Sequence, residues 1–280
     1  MELPSICFIY PYIFMGIFII IHIVIFLLIL KFIPNVEKLA FLWGMINWTI
    51  AIGVLYLGIK YFIPFNTPFL ENVKCVYGGL VPPITEDVGR FIVFTFIYKS
   101  KNHNFNNSIM FGAGHGGWES IVLTAMIQIS HLLSFYAIRN AESLDELIKN
   151  KLDKTYEKYK NGVTGEEIFD VINRFCGNLF HMSASIIIYR LSLNRKEKKY
   201  IIYFIILFFG HLILDAFANF YVLYELSIWY NFLFIGLNLM VVVIGWLIWR
   251  EDKNKNYIDF NDFETNERQI SLENIYTNDN

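Results

Sequence analysis

Seven long apolar stretches, parted by short charged segments, run along this chain. A helix needs roughly 20 residues to cross about 30 Å of hydrocarbon, and each stretch is long enough. The pattern predicts helices over about 12–30, 39–62, 76–98, 108–137, 168–191, 200–222 and 228–249. Lys31 and Pro34 close the first and Pro64 the second; Pro64 and Pro68 read as loop residues, because proline ends helices. Gly78, Gly79, Pro82 and Pro83 interrupt the third, which predicts a half-helix or re-entrant entry followed by a helix from Ile84. The fourth is longer than a bilayer requires and predicts a tilt or a projection.

One segment breaks the pattern. Over 141–162, Leu144, Leu147, Ile148, Leu152, Thr155 and Tyr159 recur near helical spacing among charged residues, and Asp145 with Lys149 makes an i,i+4 pair. This predicts an amphipathic surface helix closed by Asn161 and Gly162, with Thr164 and Glu167 as a capping box for the next span. The expected class is therefore all-α: a polytopic membrane bundle of about seven helices over 1–250, followed by a polar, acidic, Asn-rich tail over 251–280 whose composition predicts disorder.

Composition agrees. The chain is 55% hydrophobic, against about 45–50% in soluble domains. A net charge of −2 gives no reason to expect a nucleic-acid partner. Cys7, Cys75 and Cys176 are scattered, which argues against a disulfide framework or a thiolate metal site. The first apolar run lacks the basic start of a signal peptide and reads as a retained span. Most lysines and arginines fall in alternate loops, which places the N-terminus outside by the positive-inside rule; the 139–166 loop is the exception.

Against this background the ionisable residues inside the spans stand out. Glu86, Asp87 and Arg90 lie in the third stretch, His115 and Glu119 in the fourth, His181 in the fifth, and His211 with Asp215 in the sixth. Charged and facing lipid, the five carboxylates and cations would cost on the order of 10–15 kcal/mol, so they are expected to converge inside the bundle. Glu86 and Arg90 are one turn apart, as are His115 and Glu119, and His211 and Asp215, so each pair shares a helix face. Asn219 continues the last of these faces. Gly112, Gly114, Gly116 and Gly117 around His115 predict either close helix packing or a loosened turn. His22 and His131 have no carboxylate three or four residues away and read as packing residues.

The residues leave two hydrolytic readings open. His115, His181 and His211 with the carboxylates could hold Zn²⁺ and leave a water position free. Alternatively, Glu86 activates a water directly while the histidines stabilise an oxyanion. A non-enzymatic binding or immunity-like protein and an ion-coupled transporter also fit a buried polar cluster, although no internal repeat of the transporter kind is evident.

The segments E-D-V-G-R, G-A-G-H-G-G-W-E-S-I, L-F-H-M-S and G-H-L-I-L-D, in this order from about Val81 to Asn219, resemble the YhfC-like family of intramembrane metalloproteases. More distantly they are similar to the CAAX prenyl endopeptidases and the PrsW-like proteases. In that wider group an E-E-x-x-x-R-like motif is followed by two single histidines and an H-x-x-x-N/D motif. Here the acid pair and Arg90 stand one residue closer, and Asp215 replaces Asn. The resemblance implies an integral protein of a bacterial cell membrane that cleaves a membrane protein or lipidated peptide within the bilayer. On that reading Glu86 is the base oriented by Arg90, with Asp87 beside it. His115, His181 and His211 are metal ligands, zinc above all, or oxyanion donors, and Glu119 and Asp215 orient them.

Overall fold

The computed structural model describes residues 3–62, 68–97, 105–139, 146–162, 166–194, 196–224 and 232–251. Among these residues there is no strand. The helices are α1 (Ile6–Phe32), α2 (Lys38–Phe62), α3 (Pro68–Pro82), α4 (Val88–Ile92), α5 (Asn106–Arg139), α6 (Glu146–Tyr159), α7 (Glu166–Leu193), α8 (Lys198–Tyr224) and α9 (Phe232–Glu251). Every predicted apolar stretch falls on helix, and the protein is an integral membrane helix bundle. α1, α5, α9 and the Lys198–Phe220 part of α8 are long and apolar enough to cross a membrane by length and composition alone.

The outward faces are apolar. On α1, Ile13, Ile17, Ile20, Val24 and Leu27 point out, whereas Tyr10, Phe18 and His22 are buried. Asn47, Glu86, Asp87, Arg90, His115, Asn178, His181 and His211 lie inside. Apolar residues outside and polar ones inside reverse the soluble arrangement and suit hydrocarbon as solvent.

α5 is the central element, packed against α1, α2 and α7, while α3 packs on α8. At 34 residues it is about 51 Å long, well beyond the hydrocarbon thickness. Its glycines serve close approach, and the helix runs through them without a loosened turn. A Cβ on Gly114 would lie 2.1 Å from the Phe41 carbonyl oxygen of α2, and one on Gly112 would lie 2.4 Å from Met182 Cα of α7. His115, between them, is thereby sealed at the interface of three helices.

The third stretch departs from the prediction in two ways. It begins at Pro68, which opens α3 where the missing N–H costs nothing, in place of lying in a loop. It is also not broken at Pro82 and Pro83: the chain continues through a π-helical turn (Pro83–Asp87) into α4 and a second π turn (Val93–Ile97). Two consecutive prolines remove two donors and crowd the preceding turn. A widened turn relieves that crowding, and the Thr85 hydroxyl donates to the Val81 carbonyl at 2.9 Å.

α6 confirms the amphipathic helix, and Gly162 ends it with φ 102°. Its Tyr159 is buried against Tyr10 and Phe135. His131 sits between the two phenols, 2.8 Å from Tyr10 Oη and 3.5 Å from Tyr159 Oη, and Cys7 Sγ donates to the Tyr159 carbonyl. His22 packs on Gly117, its Nδ1 2.6 Å from the Phe18 carbonyl. The 141–145 start of the surface segment, the Thr164 cap, Pro64 and the 252–280 tail lie outside the described residues.

Candidate metal centre

Five segments carry the polar cluster: the first π turn and α4, α5, α7, α8, and Asn47 of α2. The π turn directs both Glu86 and Asp87 inward, and Arg90 follows one turn on; all three are buried. Arg90 lies between the two acids. Its Nη1 donates to Asp87 Oδ1 in a very short contact, and its Nη2 donates to Glu86 Oε2 at 3.3 Å. The same Nη2 donates to His181 Nδ1 at 2.7 Å.

The predicted site residues all meet here. His115 Nε2 is 2.8 Å from Glu86 Oε2. His181 Nε2 is 2.7 Å from Glu119 Oε2, an approach that misses hydrogen-bond direction and leaves this buried carboxylate oxygen without a hydrogen-bond partner. Glu119 therefore faces His181, with Arg174 Nη1 at 3.8 Å, instead of orienting His115 from its own helix. His211 sits between two acids, Nδ1 3.4 Å from Asp87 Oδ2 and Nε2 3.3 Å from Asp215 Oδ2. Asn219 lies apart: its amide caps the Asp215 carbonyl and abuts Gly78 of α3.

Glu86, His115, Glu119 and His181 form the group with ligand spacing, each offering an atom within 4.8 Å of the others. Two imidazoles and two carboxylates are a donor set for a divalent ion such as Zn²⁺, and the unpartnered Glu119 oxygen fits a missing cation. The set differs from the three histidines predicted. His211 is outside it, held by Asp87 and Asp215, and Glu119 takes its place. The reason is rotational: α8 presents His211 to the far side of Glu86, its Nε2 3.7 Å from Glu86 Oε2.

The histidine environments add a condition. A guanidinium can only donate, so His181 Nδ1 accepts and the ring proton sits on Nε2. Asn47 Nδ2 donates to the Glu86 carbonyl at 3.1 Å and lies 3.3 Å from His115 Nδ1, which sets the same tautomer there. To ligate through Nε2, His181 must give up that proton, and Arg90 must swing from its ring to Glu86 and Asp87, already its partners.

Asn47 and Arg174 were not singled out from the sequence. A lone amide in the apolar run F-L-W-G-M-I-N-W is the signal that could have found Asn47; Arg174 stands near the polar start of α7 and carries none.

A cavity of about 410 Å³ reaches the cluster between α5, α7, α8 and α9. Glu119, His181, His211 and Asp215 border it. Glu86 and His115 do not.

Residues 17–235 match the YhfC intramembrane metalloprotease family. The chain is 36% identical over 75 residues to the Uncharacterized membrane protein YhfC of Bacillus subtilis (strain 168), a stretch covering 27% of this chain and 28% of that relative's length. No solved structure matches the chain. With more than half of its length matched, the chain belongs to the YhfC intramembrane metalloprotease family.

Proposed function

We propose that the protein is an endopeptidase that hydrolyses a peptide bond of a membrane-associated substrate at the cluster below the cavity. The observation that carries this reading is the convergence of Glu86, His115, Glu119 and His181 within 4.8 Å, at the end of a cavity deep in the bundle. Family membership implies a metal, and Glu86, His115 and His181 would hold it, leaving Glu119 on the cavity side. A bound Zn²⁺ would supply Lewis acidity and lower the pKa of its water.

The chain's own residues have distinct tasks. Glu119 takes a proton from the attacking water and returns it to the leaving amine. It suits this role better than Glu86, which had it on the sequence reading, because its side chain is 21% exposed against 7% for Glu86. Arg174 beside Glu119 and His181 behind it hold the carboxylate in place. His211, on the cavity wall, donates to the carbonyl oxygen as charge builds there, oriented by Asp87 and Asp215. The apolar walls keep bulk water from the reacting bond.

The test is cleavage of a fluorogenic membrane peptide by the purified protein in liposomes. Glu119→Gln should lower the rate by about 10²–10⁴-fold, with the protein still inserted and folded. Cleavage by Glu119→Gln at the wild-type rate would remove Glu119 from the reaction. A metal-free reading has one observation in its favour, the guanidinium on His181 Nδ1; cleavage unaffected by a chelator, from protein free of metal, would select it.

A further inference from the structure

Cavity shape and one glycine say more about the substrate, on the hydrolase reading of the site. Along α7, Asp170, Asn173, Arg174, Gly177 and His181 line the cavity. Their spacing places them on one helix face, running from the α6 end of the bundle to the cluster. Lys158 of α6 and His131 of α5 border the same cavity at that end. The opposite walls are apolar, with Leu123, Ile127, Leu214 and Phe234. The result is a cleft with a polar stripe facing apolar walls.

Size limits the occupant. A helix about 10–12 Å across fills roughly 420–610 Å³ per 5.4 Å turn. A cavity of about 410 Å³ therefore holds less than one turn, whereas an extended strand, whose backbone groups need polar partners, fits such a stripe.

Gly177 lines this cleft one turn before His181. A glycine inside a helix costs about 1 kcal/mol relative to alanine. Gly112, Gly114 and Gly116 have a packing reason, since a Cβ on each would lie 2.9 Å or less from a backbone atom of a neighbouring helix. Gly177 has none: a Cβ there would meet nothing within 4 Å. Its missing side chain leaves open the narrowest approach to the histidines along α7.

We propose that the cleft takes an unwound, extended peptide segment entering from the α6 face, and that Gly177 is the aperture setting how bulky a residue can pass to the reacting centre. The segment lies along the α7 stripe with its apolar side chains toward α5, α8 and α9.

Two measurements on full-length protein in nanodiscs test this. In a chain with Cys7, Cys75 and Cys176 changed to serine, Gly177→Cys should react with a charged methanethiosulfonate at least tenfold faster than Ala184→Cys, whose site is fully buried. In the native-cysteine chain, Gly177→Trp should keep the wild-type melting temperature and metal content and lose at least tenfold in peptide cleavage. Labelling at 177 as slow as at 184 would overturn the cleft, whatever the cleavage assay gave. Wild-type cleavage by Gly177→Trp would overturn the aperture. Fast labelling at 177 with no cleavage by the wild-type protein would instead refute the hydrolase reading, and would support the cleft as a water-filled entry.

Discussion

Replacing Arg90 with methionine is the sharpest test of how this cluster is held in the bilayer. Arg90 and Asp87 both have 0% side-chain exposure, and Glu86 has 7%. Arg90 is the one basic side chain in contact with both acids among the described residues. Methionine conserves much of the volume and removes the charge, so the loss isolates electrostatics from packing. Asp87 keeps only His211, and Glu86 keeps His115. Breaking a buried pair from one side typically costs about 3–5 kcal/mol, because the partner charge stays buried and uncompensated. Arg90→Met should therefore lower the unfolding temperature by on the order of 10 °C, read by intrinsic fluorescence in detergent. Asp87→Asn in the same chain should recover part of that loss, giving a coupling energy of about 0.5–3 kcal/mol in a double-mutant cycle. Arg90→Met that melts with the wild type, or a cycle with no coupling, would refute the claim that Arg90 holds the acids in the bundle.

Three further outcomes follow from distances. His181→Ala should lose bound metal, measured by mass spectrometry of the purified protein, whereas His211→Ala should retain it; loss in both would restore the three-histidine ligand set. Gly114→Leu drives carbons into the Phe41 carbonyl, 2.1 Å from a Cβ, and should cost at least the roughly 1–3 kcal/mol typical of overpacking; a melting temperature equal to wild type would show that α2 and α5 do not pack this closely. Gly89→Ala places a Cβ 2.0 Å from Asn47 Oδ1. It should displace Asn47 from the Glu86 carbonyl and shift the His115 ring resonances in an NMR spectrum, and unchanged resonances would argue against Asn47 as the partner of His115.

The helices were readable because lipid imposes length and apolarity on every span, and the site residues because ionisable groups there have few alternatives to meeting one another. The partition within the cluster was not readable. Spacing places His115 and Glu119 on one face of α5, and that much holds. It does not say that Glu119 reaches across to His181 while Glu86 comes from α4's side to His115, because those contacts depend on the rotation of α5, α7 and α8 about their axes. The same ignorance of rotation led to His211 as a ligand. Gly112 and Gly114 set the α5 approach to α7 and α2, but sequence does not tell which neighbour each glycine faces.

The double proline hides the most consequential step. Read as breakers, Pro82 and Pro83 predict an interrupted span. In the bundle they coincide with a widened turn, and that turn carries Glu86 and Asp87 into the interior together. On a regular α-helix adjacent residues point about 100° apart, so one of two neighbouring acids tends to face away from a narrow site. Here both are buried and Arg90 reaches each. Asn47, fitting over Gly89, satisfies the Glu86 carbonyl next to the turn. The acid pair, the glycine and the arginine of E-D-V-G-R thus form one unit with the prolines before them. The prolines shape the turn, the acids divide between the His115 and His211 sides, and the arginine holds them against each other. The glycine admits the amide that orients His115. An inert structural lock would need only one acid and the arginine; the second acid is what ties His211, on the cavity wall, to the same support as the ligand group.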